Sequence, residues 1–142
     1  MRIASRQSAV IKTFDAVEIR VRFRAKTRIG DPGLYVGVLT TDYQRVAGLD
    51  FKDFATMTPV SPGETLELGF CVQDFPLMPG RYQLELHLKD MASGKIEALP
   101  RTFPFEVVET PIYNGRKLDR WFGTLALHAT PLVTTSKECL SR

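Results

Sequence analysis

The sequence predicts an all-β fold: an antiparallel β-sandwich, immunoglobulin-like or jelly-roll, with about eight strands. Three observations carry this. Apolar and polar residues alternate with a period of two over several separate stretches, and only an extended strand sends successive side chains to opposite faces. Proline and glycine turns punctuate those stretches at spacings of about ten residues. No segment keeps a helical period for about ten residues or more.

The clearest strand runs from Val17 to Ala25, where Val17, Ile19, Val21 and Phe23 alternate with Glu18, Arg20, Arg22 and Arg24. One face is core and the other is wet. Gly30, Asp31, Pro32 and Gly33 then form a turn, with proline fixing φ and glycine supplying unusual φ. A strong apolar run follows from Leu34 to Leu39, and a short strand covers Gln44 to Leu49. Residues 50–57 are aromatic and mixed, which reads as a loop or a single turn. After Pro59, Pro62 and Gly63, the stretch from Glu64 to Val72 sets Leu66, Leu68, Phe70 and Val72 against Thr65, Glu67, Gly69 and Cys71. The segment Phe75 to Gly80 interrupts. From Tyr82 to Lys89, Tyr82, Leu84, Leu86 and Leu88 point inward and Gln83, Glu85, His87 and Lys89 outward. Ser93 and Gly94 make a turn, and Phe103, Phe105 and Val107 continue the alternation through Val108. Beyond Glu109 the pattern changes: Thr110 to Arg120 is turn-rich and basic, Trp121 to Leu127 reads as one more strand, and Ser136 to Arg142 as a frayed end. The whole chain, 1–142, reads as one domain, with 110–142 a tail or a strand exchanged between subunits.

Composition bounds the function. The chain has 142 residues and 16.0 kDa, enough for one core without a metal or disulfide staple. A net charge of +3 and a pI near 9.0 lean basic, but without a contiguous patch no nucleic-acid partner is expected. No apolar run is long enough to span a membrane. Met1 to Gln7 carries charge with no apolar stretch behind it, so no secretory signal is expected. Cys71 and Cys139 read as free thiols of a reducing compartment, and zinc-ligand spacing is missing. No phosphate-binding loop, dinucleotide fingerprint or nucleophile elbow is present. No cofactor and no metal are expected.

Several pieces, in order, resemble a known family. They are Leu34-Tyr35-Val36-Gly37-Val38, Pro62-Gly63-Glu64-Thr65-Leu66, the run Phe75-Pro76-Leu77-Met78-Pro79-Gly80-Arg81-Tyr82-Gln83-Leu84, the Ser93-Gly94 turn and Phe103-Pro104-Phe105-Glu106-Val107. From Ala9 to Val108 the chain resembles the C-terminal domain of Wzt proteins, the ATPase subunits of ABC transporters that export O-antigen polysaccharide. The resemblance implies a β-sandwich that binds the glycan's finished non-reducing end without catalysis. It also implies a homodimer, an ATPase domain and a membrane subunit as partners, and a cytoplasmic place at the inner membrane. The ATPase half of that family is missing from this sequence.

Sugar recognition needs planar polar groups for hydroxyl pairs and an aromatic ring for the C–H face. The outward Gln83, Glu85 and His87 have that chemistry. Arg20, Arg22 and Arg24 are their basic counterpart if the two strands share a sheet, and their guanidinium forks also suit an anionic cap such as phosphate. The competing reading is cross-strand ion pairing on a solvated face. Tyr35 alternates away from Leu34, Val36 and Val38, so it faces out as a sugar platform or as an ordinary strand former. Trp121 reads as packing against the sandwich or a partner subunit. Two other classes stay open: an immunoglobulin-like protein-interaction module without a glycan ligand, and a small hydrolase that needs Glu67 and Glu85 to converge in one cleft.

Overall fold

The computed structural model describes residues 9–98, 102–110 and 123–133. Eight strands run in chain order: β1 (Ala9–Lys12), β2 (Val17–Arg24), β3 (Pro32–Thr40), β4 (Arg45–Asp50), β5 (Thr65–Val72), β6 (Gly80–Asp90), β7 (Lys95–Ala98) and β8 (Phe103–Val108). A single 3₁₀ turn, Phe51–Asp53, follows β4. The expected all-β sandwich is therefore the fold; the strands expected between Val17 and Val108 shift by only a residue or two at their ends, and the short β1 and β7 are additional to them.

The strands form two sheets. The larger has the order β1-β8-β6-β3-β4, with β7 also pairing β6, and the smaller is the antiparallel pair β2-β5, whose strands are separated in the chain by β3 and β4. On one side β6 pairs β3 from Pro32↔Asp90 to Thr40↔Tyr82. On its other side it pairs β8 near Gly80–Leu84 and β7 near His87–Asp90. All pairs are antiparallel except β1 and β8, which are parallel. The exception has a structural cause: β1 adds to the edge of the large sheet and the chain then turns across to β2 in the small one. Phe14 makes that turn with φ 69°, a value that costs a bulky residue and persists only when neighbours hold it. Its amide donates to the Phe75 carbonyl at 2.8 Å and its ring stacks on His128 with centroids 3.7 Å apart.

The core lies between the sheets. Ile19, Val21 and Phe23 of β2 and Leu68 of β5 pack against Leu34 and Val36 of β3 and Leu86 of β6. At one end Val38, Tyr82 and Val107 pack with Phe75 and Leu77 from the β5–β6 connection. Period two explains this on β2 and β6, where each buried residue is flanked by exposed or half-buried ones, whereas β3 is covered on both faces, with Gly37 and Leu39 buried beside Val38. At this end residues 124–126 lie along the same connection. The Met78 amide donates to Thr124 at 2.8 Å and the Ala126 amide to Pro76 at 2.7 Å. Only a single bridge, Leu77↔Leu125, forms there, so the strand expected over 121–127 is not a strand in its described part, 123–127. Trp121, Cys139 and the remaining tail residues lie outside the described residues.

Candidate functional site

The outer face of the large sheet is built around Tyr35. In register, Tyr35 of β3 lies between His87 of β6 and Asp50 of β4. Two positions away, Gly37 lies between Glu85 and Gly48. The paired glycines leave a hollow, and the Tyr35 ring occupies it. A Cβ on Gly48 would stand 2.8 Å from the Tyr35 hydroxyl oxygen, and one on Gly37 would stand 3.3 Å from the ring's Cε1. Any larger residue at either place would lift the ring.

Polar groups surround the ring. Arg45 donates through Nη1 to the Tyr35 hydroxyl and through Nη2 to Glu85 Oε2 at 2.8 Å. His87 Nε2 lies 2.8 Å from Glu85 Oε1. The His87 ring meets Tyr35 edge-on at 5.6 Å, and Lys89 Nζ sits 5.5 Å from the Tyr35 centroid while donating to Asp50 Oδ2 at 2.6 Å. Lys52 completes the row by bonding Asp31. Glu85 and His87 keep 28% and 23% of their side-chain surface open, so they are bonded and still reachable from solvent.

Their partners favour the charged forms of Glu85, Asp50 and Arg45. The His87 hydrogen bond, then Arg45, hold the Glu85 carboxyl below its ordinary value. Lys89 does the same for Asp50. The hydrogen bond to Glu85 pushes the Arg45 guanidinium upward. The result is a fixed array of donors and acceptors, as hydroxyl recognition requires.

A β-bulge puts Arg45 there. Val38 pairs Ala47 but Leu39 pairs Arg45, so Val46 is the extra residue. It packs toward the core beside Val38, and Arg45 turns outward. A bulge re-aims a side chain in this way. Simple alternation from Gly48 would have sent Arg45 inward, which is why sequence reasoning missed it. Lys89 was legible as outward, but its bond to Asp50 was not.

The structure brings Tyr35, Glu85 and His87 together. Gln83 is on the same face at its far end, where its amide is spent on the Thr40 carbonyl at 2.9 Å and the Thr102 hydroxyl at 2.6 Å. Arg20, Arg22 and Arg24 are elsewhere. They belong to β2 in the small sheet and point away from the core on the opposite side of the sandwich. The condition under which they would complement Gln83, Glu85 and His87 is not met. Arg20 pairs with Glu18 and lies 3.3 Å from Glu67, Arg24 donates to the Gly63 carbonyl at 3.1 Å, and all three arginines are exposed. Glu67, on β5, is likewise on the other side from Glu85, so these two carboxylates do not share a cleft.

Comparison with known proteins decides the family. The Wzt C-terminal domain profile matches residues 2–118, most of the chain. The chain belongs to the Wzt C-terminal domain family. A solved structure titled as the crystal structure of the C-terminal domain of Wzt superposes with a TM-score of 0.71 at 11% identity, covering 88% of this chain and 74% of that one. At that identity the likeness speaks for the sandwich fold. No curated protein matches the chain. Membership in the Wzt C-terminal domain family ties the chain to ABC transporters and fits a carbohydrate-binding role in O-antigen export. Among the described residues no helix is long and apolar enough to cross a membrane.

Proposed function

We propose that this chain binds an O-antigen polysaccharide on the outer face of its large sheet, without chemistry, and gives an ABC exporter its substrate specificity. The observation that carries this is the Tyr35 ring seated over Gly37 and Gly48 and bordered by Arg45, Glu85 and His87. A ring gives sugar C–H groups a surface to pack on. The carboxylate and guanidinium beside it offer hydroxyls paired acceptors and donors. The bound part is the finished, non-reducing end of the glycan, and the ATPase domain and membrane subunit of the transporter are the working partners. The domain acts in the cytoplasm at the inner membrane. A homodimer doubles the sites, and two linked weak sites gain from effective concentration. Leu132 and Val133, at 97% and 79% exposure, are apolar residues that a second copy would cover.

The test is retention of the purified protein on lipopolysaccharide from the source organism, with O-antigen-deficient and foreign lipopolysaccharide as controls. Retention by the native glycan alone is expected, together with loss of retention in Tyr35→Ala. A folded protein that ignores the native glycan overturns the reading. The exposed apolar residues near the C-terminus would then favour a protein-interaction module.

A further inference from the structure

We infer that the Tyr35 face takes an uncharged sugar, one bearing neither carboxylate nor phosphate; this rests on the reading of that face as the glycan site. The argument is a charge inventory. Among the described residues, three carboxylates stand around the Tyr35 end of the face, and each has a cation partner: Asp31 with Lys52, Asp50 with Lys89, and Glu85 with Arg45, while the His87 ring is bonded to Glu85 as well; Glu106 lies farther along the same face, in register with Arg81. Arg45, Lys52 and Lys89, the cations around the ring, are thereby engaged as well. An anionic sugar would have to take a cation away from a carboxylate that the sheet holds in place. It would also stand beside that carboxylate once it had done so, and like charges at this range repel.

Neutral hydroxyls meet no such conflict. Glu85 Oε1 and Oε2 each accept one hydrogen bond, and each oxygen has a further lone pair for a sugar hydroxyl. A hydroxyl can donate there and accept from a neighbouring N–H without breaking the network. The network is then kept on binding, and its geometry is ready beforehand. The side chains Lys89 and Arg45 also border the Tyr35 ring, with the Arg45 guanidinium carbon 5.3 Å from its centroid. These cations are compensated by Asp50 and Glu85, so the ring remains a platform for C–H groups rather than a trap for anions.

The contrast within the molecule sharpens the point. Outward cations without a carboxylate within ion-pair reach, among the described residues, include Arg22, Arg24 and Lys26 on the small-sheet side and Arg81 at the far end of β6 from Tyr35. Arg24 and Lys26 line an open depression with Ala25 and Gly63 at the end of the small sheet, across the sandwich from Tyr35. Among the described residues, β2 and β5 put no aromatic ring on that outer face, where β5 contributes Thr65, Glu67, Gly69 and Cys71. An anionic glycan would be drawn to this row and away from Tyr35.

The two sites separate in one experiment. Affinity for the delipidated O-polysaccharide of the source organism is measured by calorimetry at about 20 mM and about 500 mM NaCl, since exposed charge attraction is screened over this range. Wild type, Tyr35→Ala and the double variant Arg22→Ala/Arg24→Ala are compared, with circular dichroism confirming that each is folded. The expected result is wild-type affinity constant within about twofold across salt, lost in Tyr35→Ala and kept in the double variant. Affinity lost in Tyr35→Ala yet falling tenfold or more with salt overturns the uncharged sugar and leaves the site standing. Affinity that survives Tyr35→Ala, or folded wild type that does not bind, overturns both.

Discussion

Arg45 and Glu85 meet across an intervening strand, and they meet over a glycine. Arg45 is on β4 and Glu85 on β6; both pair with β3, which lies between them. The Nη2 to Oε2 distance of 2.8 Å spans the position of Gly37. A Cβ at Gly37 would lie 3.2 Å from Glu85 Oε2 and press on Arg45 Nη1. The absence of a side chain is thus what lets the ion pair close.

Gly37→Ala therefore separates stability from binding. The crowded atoms belong to side chains and not to backbone, so the ends of Arg45 and Glu85 can swing away at small cost while the Tyr35 ring lifts slightly. Ala also gives up less chain entropy than Gly, an effect of about 0.4–1 kcal/mol in its favour. Unfolding in urea should move by no more than about 1 kcal/mol, because the two effects oppose. Glycan affinity should fall about tenfold or more, since a bonded pair must part to admit the methyl group, and tenfold is about 1.4 kcal/mol. Unchanged affinity would mean that the Arg45–Glu85 pair is not part of the binding surface.

Much of the fold was legible because alternation is a local property. Val17 to Arg24 and Tyr82 to Lys89 point inward and outward as period two dictates. The small number of connections between strands also follows from local turn chemistry. Tyr43 is an exception: it takes φ 64° at the end of a three-residue loop between Thr40 and Gln44, and a tyrosine gives no sequence signal for a position that usually takes glycine or asparagine. Sheet membership was not legible. Nothing in the β2 sequence says that its partner is β5 and not β6, so the relation of Arg22 to Glu85 stayed open. The site was half legible for the same reason. Tyr35, Glu85 and His87 follow from alternation, whereas Arg45 depends on a bulge that reverses it.

Acid should weaken both the fold and the site through Glu85. Its carboxyl is held below the ordinary 4.5 by His87 first and Arg45 second, and Asp50 is held below 3.8 by Lys89. A depressed folded value means that folding favours the ionised form. The stabilisation is complete above the ordinary carboxylate values and is lost as pH falls through the depressed ones. The thermal midpoint of wild type should thus drop below about pH 4.5 more steeply than that of Glu85→Gln. Parallel slopes for the two proteins in a differential-scanning series would show that Glu85 gains nothing from its partners.

The arginine row of β2 should behave as surface. Arg20 and Glu67 are 64% and 46% exposed and 3.3 Å apart. Exposed pairs of this kind contribute about 0–1 kcal/mol, because water competes and two long side chains must be ordered. A double-mutant cycle with Arg20→Ala and Glu67→Ala should give a coupling of about 0.5 kcal/mol or less, read from urea unfolding. A coupling several times larger would show that this face is held more rigidly than its exposure implies.

Tyr82→Phe probes the buried end of the same strand that carries Glu85 and His87. Tyr82 is 1% exposed, and its hydroxyl donates to the Met78 carbonyl at 2.7 Å. Phenylalanine keeps the ring and its stacking on Phe105, where the centroids are 5.7 Å apart. What changes is the donor: the Met78 carbonyl loses it in a place that water does not reach. Such a loss costs about 1–3 kcal/mol, more than the net value of the bond, because the acceptor is left without solvent. The Met78 amide is tied separately to Thr124, so the segment 124–126 should stay docked and the unfolding slope in urea should not change. The midpoint alone should fall, with glycan affinity retained at neutral pH because Tyr82 faces inward, away from the Tyr35 ring. Loss of binding in a folded Tyr82→Phe protein would show that the outer face depends on the β5–β6 connection, and that the two faces of β6 are coupled.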